Sequence, residues 1–237
     1  RQLQEQLAHQ ERLSALGKMT AALAHQIRTP LSAALLYAEH LQNPLPQDVR
    51  SRFAQRVQQQ LYELERQIRD MLLFARGPLP KEDYLSVQHL FERLQLAAEV
   101  HVAGRTVRWA TCAQASYVSL YCNADVLVGA LMNLIHNALQ ADDDLAIKVH
   151  FYVRAGMVRI AVVDNGPGMS ADTLQRAGED FFSRKSAGTG LGLAVVQAVA
   201  KAHGGRFILR SRMGKGTCAI LELPLNRRVD AEEESAC

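Results

Sequence analysis

One histidine stands out because its neighbours suit a chemical role. His25 lies in the run 24–31, Ala-His-Gln-Ile-Arg-Thr-Pro-Leu, where apolar residues recur at three- and four-residue steps. On a helix, His25 lies about 200° around the axis from Leu23 and Ile27, which predicts that the imidazole faces outward. Gln26 follows it directly, and the hydroxyl of Thr29 lies one turn later on the same side. Such an imidazole can accept a phosphoryl group, although an isolated outward histidine is more often an ordinary surface residue.

Two asparagines form a candidate site for phosphate and metal. Asn133 and Asn137 are four residues apart in the apolar segment 124–141 and so share one helix face, with His136 beside them. Their neutral carbonyl oxygens can hold Mg²⁺ and phosphate oxygens together, whereas carboxylates would repel a triphosphate. The alternative is a pair of capping or core amides, which is the commoner meaning of this spacing when it occurs alone.

An acid and two glycines follow a predicted strand over 157–163. Asp164 is followed by Gly166 and Gly168 in the sequence Asp-Asn-Gly-Pro-Gly. A carboxylate at the floor of a pocket can accept a hydrogen bond from the exocyclic amine of adenine, and it would repel the oxo group of guanine. Asp-Asn-Gly is also ordinary hairpin chemistry. The next segment has a helical pattern, however, and this weakens the hairpin alternative.

Glycine-rich stretches provide candidate contacts to phosphates. The segment 188–193, Gly-Thr-Gly-Leu-Gly-Leu, leads directly into a helix, whose first N–H groups can bind an anion. Its GxGxG spacing is neither the dinucleotide fingerprint nor a P-loop. A predicted lid precedes it, and the tight turn 214–217 lies between two strands. The candidate nucleotide contacts in these stretches are Lys185, Gly188, Thr189, Gly190, Leu191, Gly192, Gly214, Gly216 and Thr217.

Two long amphipathic helices must position His25. The apolar pattern predicts one helix over residues 1 to about 40, with a coiled-coil entry, and a second from about 47 to 75. Pro30 is expected to kink the first helix. The turn 43–46, Asn-Pro-Leu-Pro, joins the two into an antiparallel hairpin. One hairpin leaves its apolar stripes half covered, which predicts a homodimer that forms a four-helix bundle.

The pattern changes beyond the segment 77–80, Gly-Pro-Leu-Pro. Helices are predicted over 86–102, 124–141, 170–177 and 191–203, and strands over 106–110, 117–122, 145–153, 157–163, 206–211 and 217–224. Strands mixed with helices in this order predict a two-layer α/β sandwich. We therefore expect two domains, a helical hairpin over 1–78 and an α/β domain over 79–237.

Composition narrows the class of protein. The chain has 237 residues and a formal net charge of only +3, with Lys and Arg spread along it, which argues against nucleic acid as the main partner. Its four cysteines have no paired or metal-type spacing, which predicts reduced thiols in a cytoplasmic protein. No apolar run approaches the roughly 20 residues of a membrane-spanning helix, so no membrane contact is expected within these residues. The chain opens on Arg1 and a charged helix, and we expect it to be a fragment of a longer protein.

Each motif is weak alone, but their order along the chain is specific. The sequence His25, the asparagine pair, DxGxG, GxGxG and GxGT resembles the sensor histidine kinases of two-component systems over essentially the whole chain. The α/β part is similar to the ATP-binding domains of the gyrase, Hsp90, kinase and MutL superfamily. The run 137–141, Asn-Ala-Leu-Gln-Ala, with the Phe pair at 181–182, resembles the nitrogen-regulatory branch. The run 19–38 is similar to the flagellar-regulatory sensor kinases of the FlrB and FleS type.

The resemblance implies a role for each motif. His25 would be phosphorylated by ATP, Asn137 would bind Mg²⁺ and Asp164 would hold adenine, with Asn133 and His136 facing the phosphates. The glycines that would shape the adenine loop, the lid and the far wall of the pocket are Gly166, Gly168, Gly188, Gly190, Gly192, Gly214 and Gly216.

The resemblance also implies a protein partner. The phosphoryl group would pass to an aspartate in the receiver domain of a response regulator, which in the narrower match activates flagellar genes. Thr29 matches the hydroxyl that orients water for dephosphorylating that partner. The alternative for Thr29 is a hydroxyl that bonds back to its own helix.

Gln26 departs from the pattern of this family. Most relatives carry Glu or Asp there, taken as the base that accepts the Nδ1 proton of the histidine. An amide can accept a hydrogen bond and fix the tautomer, but it cannot take the proton. A histidine with the reference pKa of about 6.5 is already mostly neutral at pH 7, so we expect an active but slower kinase. A phosphatase-biased protein is the alternative.

Two other classes of protein stay open at this point. An ATP-driven conformational clamp of the same superfamily would keep the asparagine and glycine motifs but would not need an exposed histidine in a helical hairpin. A dimeric scaffold with a degenerate nucleotide site is the second, and the intact motifs argue against it.

Overall fold

A computed structural model describes residues 14, 17, 20–76, 81, 83–102, 104–115, 117–141, 146–177 and 190–225. The chain divides into two compact units, one of long helices and one of strands and shorter helices. Within the described ranges, no helix is long and apolar enough to cross a membrane.

The helical unit is a hairpin. Helix α1 spans Thr20–His40 and helix α2 spans Gln47–Arg76. The end of α1 and both bounds of α2 are close to the prediction, whereas the predicted coiled-coil entry before residue 20 lies almost entirely outside the described residues. At the turn, the ring of Phe53 lies 5.9 Å from that of Tyr37 and 5.4 Å from that of His40. Large apolar side chains remain exposed along both helices: Leu31, Leu35, Leu36, Leu61, Tyr62, Ile68 and Leu72. This is the half-covered stripe from which a second copy was predicted.

The second unit has the predicted order of strands and helices, with one additional strand. Its elements are β1 (Asp83–Ser86), α3 (Val87–Glu99), β2 (Thr106–Thr111), β3 (Ser119–Cys122), α4 (Ala124–Leu139), β4 (Ala146–Arg154), β5 (Met157–Asp164), α5 (Ala171–Arg176), α6 (Gly192–Ala202), β6 (Arg206–Arg212) and β7 (Gly216–Pro224). The strand β1 was not predicted, because its residues do not alternate between buried and exposed and a helix begins directly after it.

The strands form two sheets. Five of them pair in the order β2-β4-β5-β7-β6, with β2 and β4 parallel and the other neighbours antiparallel. The pair β1-β3 is a separate antiparallel sheet. The predicted two-layer α/β sandwich is confirmed.

One face of the five-stranded sheet forms the core of this unit. Successive side chains on a strand point to opposite faces, so every second residue is buried. On β5, Val158 and Ile160 have no exposed surface, and neither does Leu221 on β7. Phe91 of α3 packs edge-on against Phe151 of β4, with ring centroids 5.3 Å apart. Helices therefore cover this face, which we call the inner face.

Helix α4 is held at its start by side chains from distant parts of the chain. Asn123 caps it by accepting a hydrogen bond from the Val126 N–H at 3.1 Å. The N–H of Asn123 in turn donates to Nε2 of His203 at 3.1 Å. Nδ1 of His203 lies 2.8 Å from the Val199 carbonyl, so it carries the proton and His203 is neutral.

The neutral state of His203 predicts an acid sensitivity of the fold. Burial lowers the pKa of this imidazole below its ordinary value of about 6.5. As pH falls through that value, the unfolded chain binds a proton that the folded chain does not, so the free energy of unfolding decreases. We expect the melting temperature to fall between pH 7.5 and pH 5.5, and by less in His203→Gln. Substitution of the exposed His89 by Gln is the control, and an unchanged pH dependence in His203→Gln would contradict this assignment.

Candidate active site

His25 is exposed on α1, as predicted. The helix continues without a break through Pro30, and the Thr29 hydroxyl donates to the His25 carbonyl at 3.0 Å. This is the back-bonded arrangement considered above for Thr29, and it leaves the lone pairs of the hydroxyl oxygen available to a water molecule. Gln26 is half-buried, so the imidazole is the more accessible of the two side chains.

Asp164 lies at the end of β5, on the inner face of the sheet, with only 8% of its surface exposed. Its Oδ1 accepts hydrogen bonds from the N–H groups of Gly166 at 3.0 Å and Thr217 at 3.1 Å. Burial raises the pKa of this carboxyl, and the two hydrogen bonds oppose that effect. Its Oδ2 accepts no hydrogen bond from the residues that the structure describes. The arrangement holds the carboxylate in one orientation and leaves one acceptor for an amine, which fits adenine.

The loop after Asp164 is attached to the turn between β6 and β7. The N–H of Gly214 donates to the Pro167 carbonyl at 2.7 Å, and the N–H of Met169 donates to the Ser211 hydroxyl at 2.9 Å. The hydroxyl of Ser211 also donates to the Gly216 carbonyl at 2.9 Å. Sequence reasoning missed Ser211, since a serine in a strand carries no signal of such a role.

Two of the predicted glycines are needed because backbone approaches backbone. A Cβ at Gly216 would lie 2.0 Å from the Asp164 carbonyl oxygen, and one at Gly168 would lie 2.1 Å from that of Arg212. Both residues also have positive φ, +87° and +66°, which favours glycine. Close packing of the loop and the turn fixes the backbone that carries the Asp164 side chain.

The asparagine pair divides into one buried and one exposed residue. Asn133 is 3% exposed, and a Cβ on Gly192, the first residue of α6, would lie 3.8 Å from its Cγ. Asn137 is exposed and forms no hydrogen bond with the described part of the chain. His136 is half-buried, and its ring meets that of His101 edge-on at 4.6 Å. Asn133 is therefore buried against the start of α6, while the side chain of Asn137 is exposed, and the predicted roles of both residues stay predictions.

The side chain of Asn137 offers an oxygen that suits a hard cation. Among the described residues, no group of three or more His, Cys, Asp or Glu side chains could hold a metal ion. An amide oxygen such as that of Asn137 is a ligand that Mg²⁺ accepts, and this ion is usually held by few protein groups together with substrate phosphates.

Part of the predicted phosphate loop is described. Gly190 has a φ of +68°, Leu191 is fully buried and Gly192 begins α6. Lys185, Gly188 and Thr189 lie outside the described residues, so their predicted roles stay predictions.

Two family models match the chain, one on each side of residues 80–121. The His Kinase A (phospho-acceptor) domain matches residues 15–79, and the histidine kinase-, DNA gyrase B-, and HSP90-like ATPase matches residues 122–227. The chain belongs to the sensor histidine kinases and contains their phospho-acceptor and ATP-binding domains. The resemblance inferred from the motifs is confirmed, and the phospho-acceptor match argues against a clamp.

Individual relatives sharpen this assignment. The chain is 60% identical over 227 residues to the sensor protein kinase FleS of Pseudomonas aeruginosa, a match that covers 95% of this chain and 56% of that protein. It is 33% identical over 238 residues to the sensor histidine kinase ZraS of Klebsiella oxytoca, covering 98% and 51%. The chain thus spans about half the length of these curated relatives. The inferred similarity to the FleS type is confirmed.

Solved structures share the fold. The histidine kinase ThkA in complex with the response regulator protein TrrA matches with a TM-score of 0.69 and 22% identity, over 94% of this chain and 66% of that chain. Full-length ShkA in complex with AMPPNP matches with a TM-score of 0.62 and 24% identity, over 89% and 46%. Likeness at these identities supports the architecture alone.

The close approach at Gly216 predicts a large effect of one added methyl group. In Gly216→Ala the new Cβ would meet the Asp164 carbonyl, and we expect the free energy of unfolding to fall by about 3 kcal/mol or more. Gly214→Ala is the matched control, because φ there is +67° but no atom lies within 4 Å of the added Cβ. That control should lose only about 1 kcal/mol. If urea unfolding shows the same loss of unfolding free energy for Gly216→Ala and Gly214→Ala, the close contact with the Asp164 carbonyl is unimportant.

Only Oδ1 of Asp164 accepts hydrogen bonds from the described chain, so we expect a substitution of Asp164 to weaken nucleotide binding without lowering the stability of the fold. In Asp164→Asn the Oδ1 bonds to Gly166 and Thr217 can persist, but an NH₂ replaces Oδ2 and opposes the amine of adenine. We expect affinity for AMPPNP to fall at least tenfold, since a hydrogen bond to a charged group is worth about 1.5–3 kcal/mol. Because burial raises the pKa of Asp164, the ionised carboxylate destabilises the fold at neutral pH, and the amide removes that effect.

Calorimetry and thermal unfolding without nucleotide test this prediction together. The melting temperature of Asp164→Asn should be unchanged or raised, and the exposed Asp172→Asn should retain binding. Loss of binding accompanied by a lower melting temperature would indicate a structural role for Asp164 instead.

Proposed function

We propose that the chain phosphorylates itself on His25 with ATP and passes the phosphoryl group to an aspartate in the receiver domain of a response regulator. The observation that carries this proposal is the presence, in one chain, of an exposed histidine in a phospho-acceptor domain and a buried carboxylate with one oxygen left for adenine. Likeness to FleS supports a regulator that activates flagellar genes as the partner.

ATP would be held through both of its ends. The Oδ2 of Asp164 accepts from the adenine amine, and the buried setting strengthens that bond relative to water. Asn137 would hold Mg²⁺, which neutralises charge on the phosphates when bound. Asn133 lies one turn earlier on α4, against the start of α6. In this proposal residues 79–237 bind ATP, and residues 1–78 carry the acceptor histidine and form the dimer.

His25 would act as the nucleophile through Nε2. The amide oxygen of Gln26 can accept a hydrogen bond from Nδ1–H, which leaves the Nε2 lone pair free to attack the γ-phosphorus. The N–P bond forms as the bond to the bridging oxygen breaks, and ADP leaves. The Nδ1 proton passes to water, which reaches His25 because the residue is exposed.

The partner chemistry follows from the hairpin. The exposed apolar side chains of α1 and α2 support a homodimer, and the exposed surface around His25 supports access by a receiver domain. Thr29 would orient water during removal of phosphate from that partner. The free thiols of Cys112, Cys122 and Cys218 suit a cytoplasmic location.

Autophosphorylation with Mg²⁺ and radiolabelled ATP tests the proposal. We expect acid-labile, base-stable label on the wild-type chain and none on His25→Gln. Gln26→Glu restores a base and should raise the rate by up to about 100-fold. His89→Gln, a change at another exposed histidine, should label normally.

The negative outcomes distinguish the alternatives. If the chain binds AMPPNP but forms no phosphohistidine, the kinase proposal is wrong and a phosphatase-biased protein is favoured. If it does not bind AMPPNP at all, the degenerate scaffold is favoured.

A further inference from the structure

The face of the five-stranded sheet opposite the helices has an ordered pattern of charge. We call it the outer face. Strand register aligns its side chains in three rows that run across the sheet, which we call the cationic row, the apolar row and the ion-pair row. In order, they are Arg108-Lys148-Val163-Cys218-Arg210, then Ala110-His150-Ala161-Ile220-Ile208, then Tyr152-Arg159-Glu222-Arg206.

The cationic row lacks compensating charge. Arg108, Lys148 and Arg210 are exposed, and none of them pairs with a carboxylate of the described chain. Arg108 and Lys148 are direct neighbours across parallel strands, and like charges placed opposite each other destabilise a sheet. The fold thus retains a repulsion that an acidic ligand would relieve.

The ion-pair row contains the one carboxylate that the described strands place on the outer face. Glu222 is 3% exposed, and its Oε1 accepts from Nε of Arg206 at 2.6 Å while Oε2 accepts from Arg159. The hydrogen bond from Arg206 lowers the pKa of Glu222. Both oxygens of Glu222 are occupied within its own row, and the cationic row lies four residues along the strands, about 13 Å away, so Glu222 does not neutralise it.

The apolar row lies between the two. Ala161 and Ile220 are buried, and Ile208 and Ala110 are half-buried. Burial, and next the charge of Lys148, lower the pKa of His150, so the row is uncharged at pH 7. Its five side chains span about 19 Å, four strand spacings.

We propose that the outer face is a docking site for an acidic amphipathic segment of a protein. An apolar stripe of the segment would cover the apolar row, and its carboxylates would pair with Arg108, Lys148 and Arg210. The unpaired cations of the cationic row require an acidic partner, by charge complementarity. The apolar row favours a protein over a nucleic acid, because the phosphates of a nucleic acid would leave this row uncovered. Guanidinium groups bind carboxylates through paired hydrogen bonds, which suits the two arginines of the cationic row.

Docking on the outer face would leave the nucleotide site free. Asp164 belongs to the alternate set of β5 residues, on the inner face. Substitutions of the cationic row therefore test docking without touching the groups proposed to bind ATP.

The probe is a fluorescein-labelled 16-residue helical peptide with a leucine stripe flanked on both sides by glutamates. We expect it to bind the full wild-type chain with an anisotropy change that weakens as salt is raised. In Lys148→Glu/Arg210→Glu its affinity should fall at least about tenfold, because like charges would then face each other. Lys201→Glu, at an exposed lysine of α6, is the matched control and should bind like wild type. All variants should retain AMPPNP binding, which also shows that they are folded.

Three outcomes would overturn the proposal. If a peptide with glutamines in place of the glutamates binds as tightly as the acidic peptide, charge plays no part in the binding. Equal weakening by Lys201→Glu would show a general effect of net charge. Tighter binding of a 20-base-pair DNA duplex than of the acidic peptide, lost in the double variant, would assign the face to nucleic acid instead.

Discussion

The site proposed for adenine depends on a carboxylate with one oxygen held by hydrogen bonds and the other left open. Hydrogen bonds from Gly166 and Thr217 fix Oδ1 of Asp164, whose side chain is buried, and Oδ2 accepts no hydrogen bond from the described residues. Gly166 lies two residues from Asp164 along the chain, but Thr217 lies 53 residues away. The Asp164 carboxylate is therefore oriented only when the sheet is complete.

Glycine makes that geometry compatible with the fold. The turn before β7 approaches the backbone of Asp164 so closely that a side chain at Gly216 has no room. The loop after β5 meets β6 in the same manner at Gly168. Ser211 then joins loop and turn by hydrogen bonds to both. Gly168 and Gly216, which the sequence alone suggests are simple turn residues, therefore determine the shape of the pocket proposed for adenine.

Sequence reasoning identified the elements and the motif residues better than it identified their environments. Long periodic segments such as α2 and α4 were predicted almost to the residue, because their apolar faces repeat many times. The different burial of Asn133 and Asn137 could not be predicted, since it depends on where α6 begins against α4. Arg108, Lys148 and Arg210 gave the impression of scattered charge, because only the pairing of distant strands brings them into one row. Cations that are spread along the sequence are thus brought onto one face of the sheet by strand pairing.

The amide at Gln26 becomes understandable once the environment of His25 is known. In the proposed mechanism, an acid at this position would serve two purposes, since it would orient the imidazole and receive the Nδ1 proton. The first needs only an acceptor oxygen, which an amide has. The second needs any base, and water can serve where the histidine is exposed, as His25 is. Orientation is the larger requirement in phosphoryl transfer, because most of the catalysis comes from positioning and charge neutralisation. In the proposed mechanism, a glutamine next to an exposed histidine would therefore keep the more important of the two functions, and the loss would fall on the rate of proton removal.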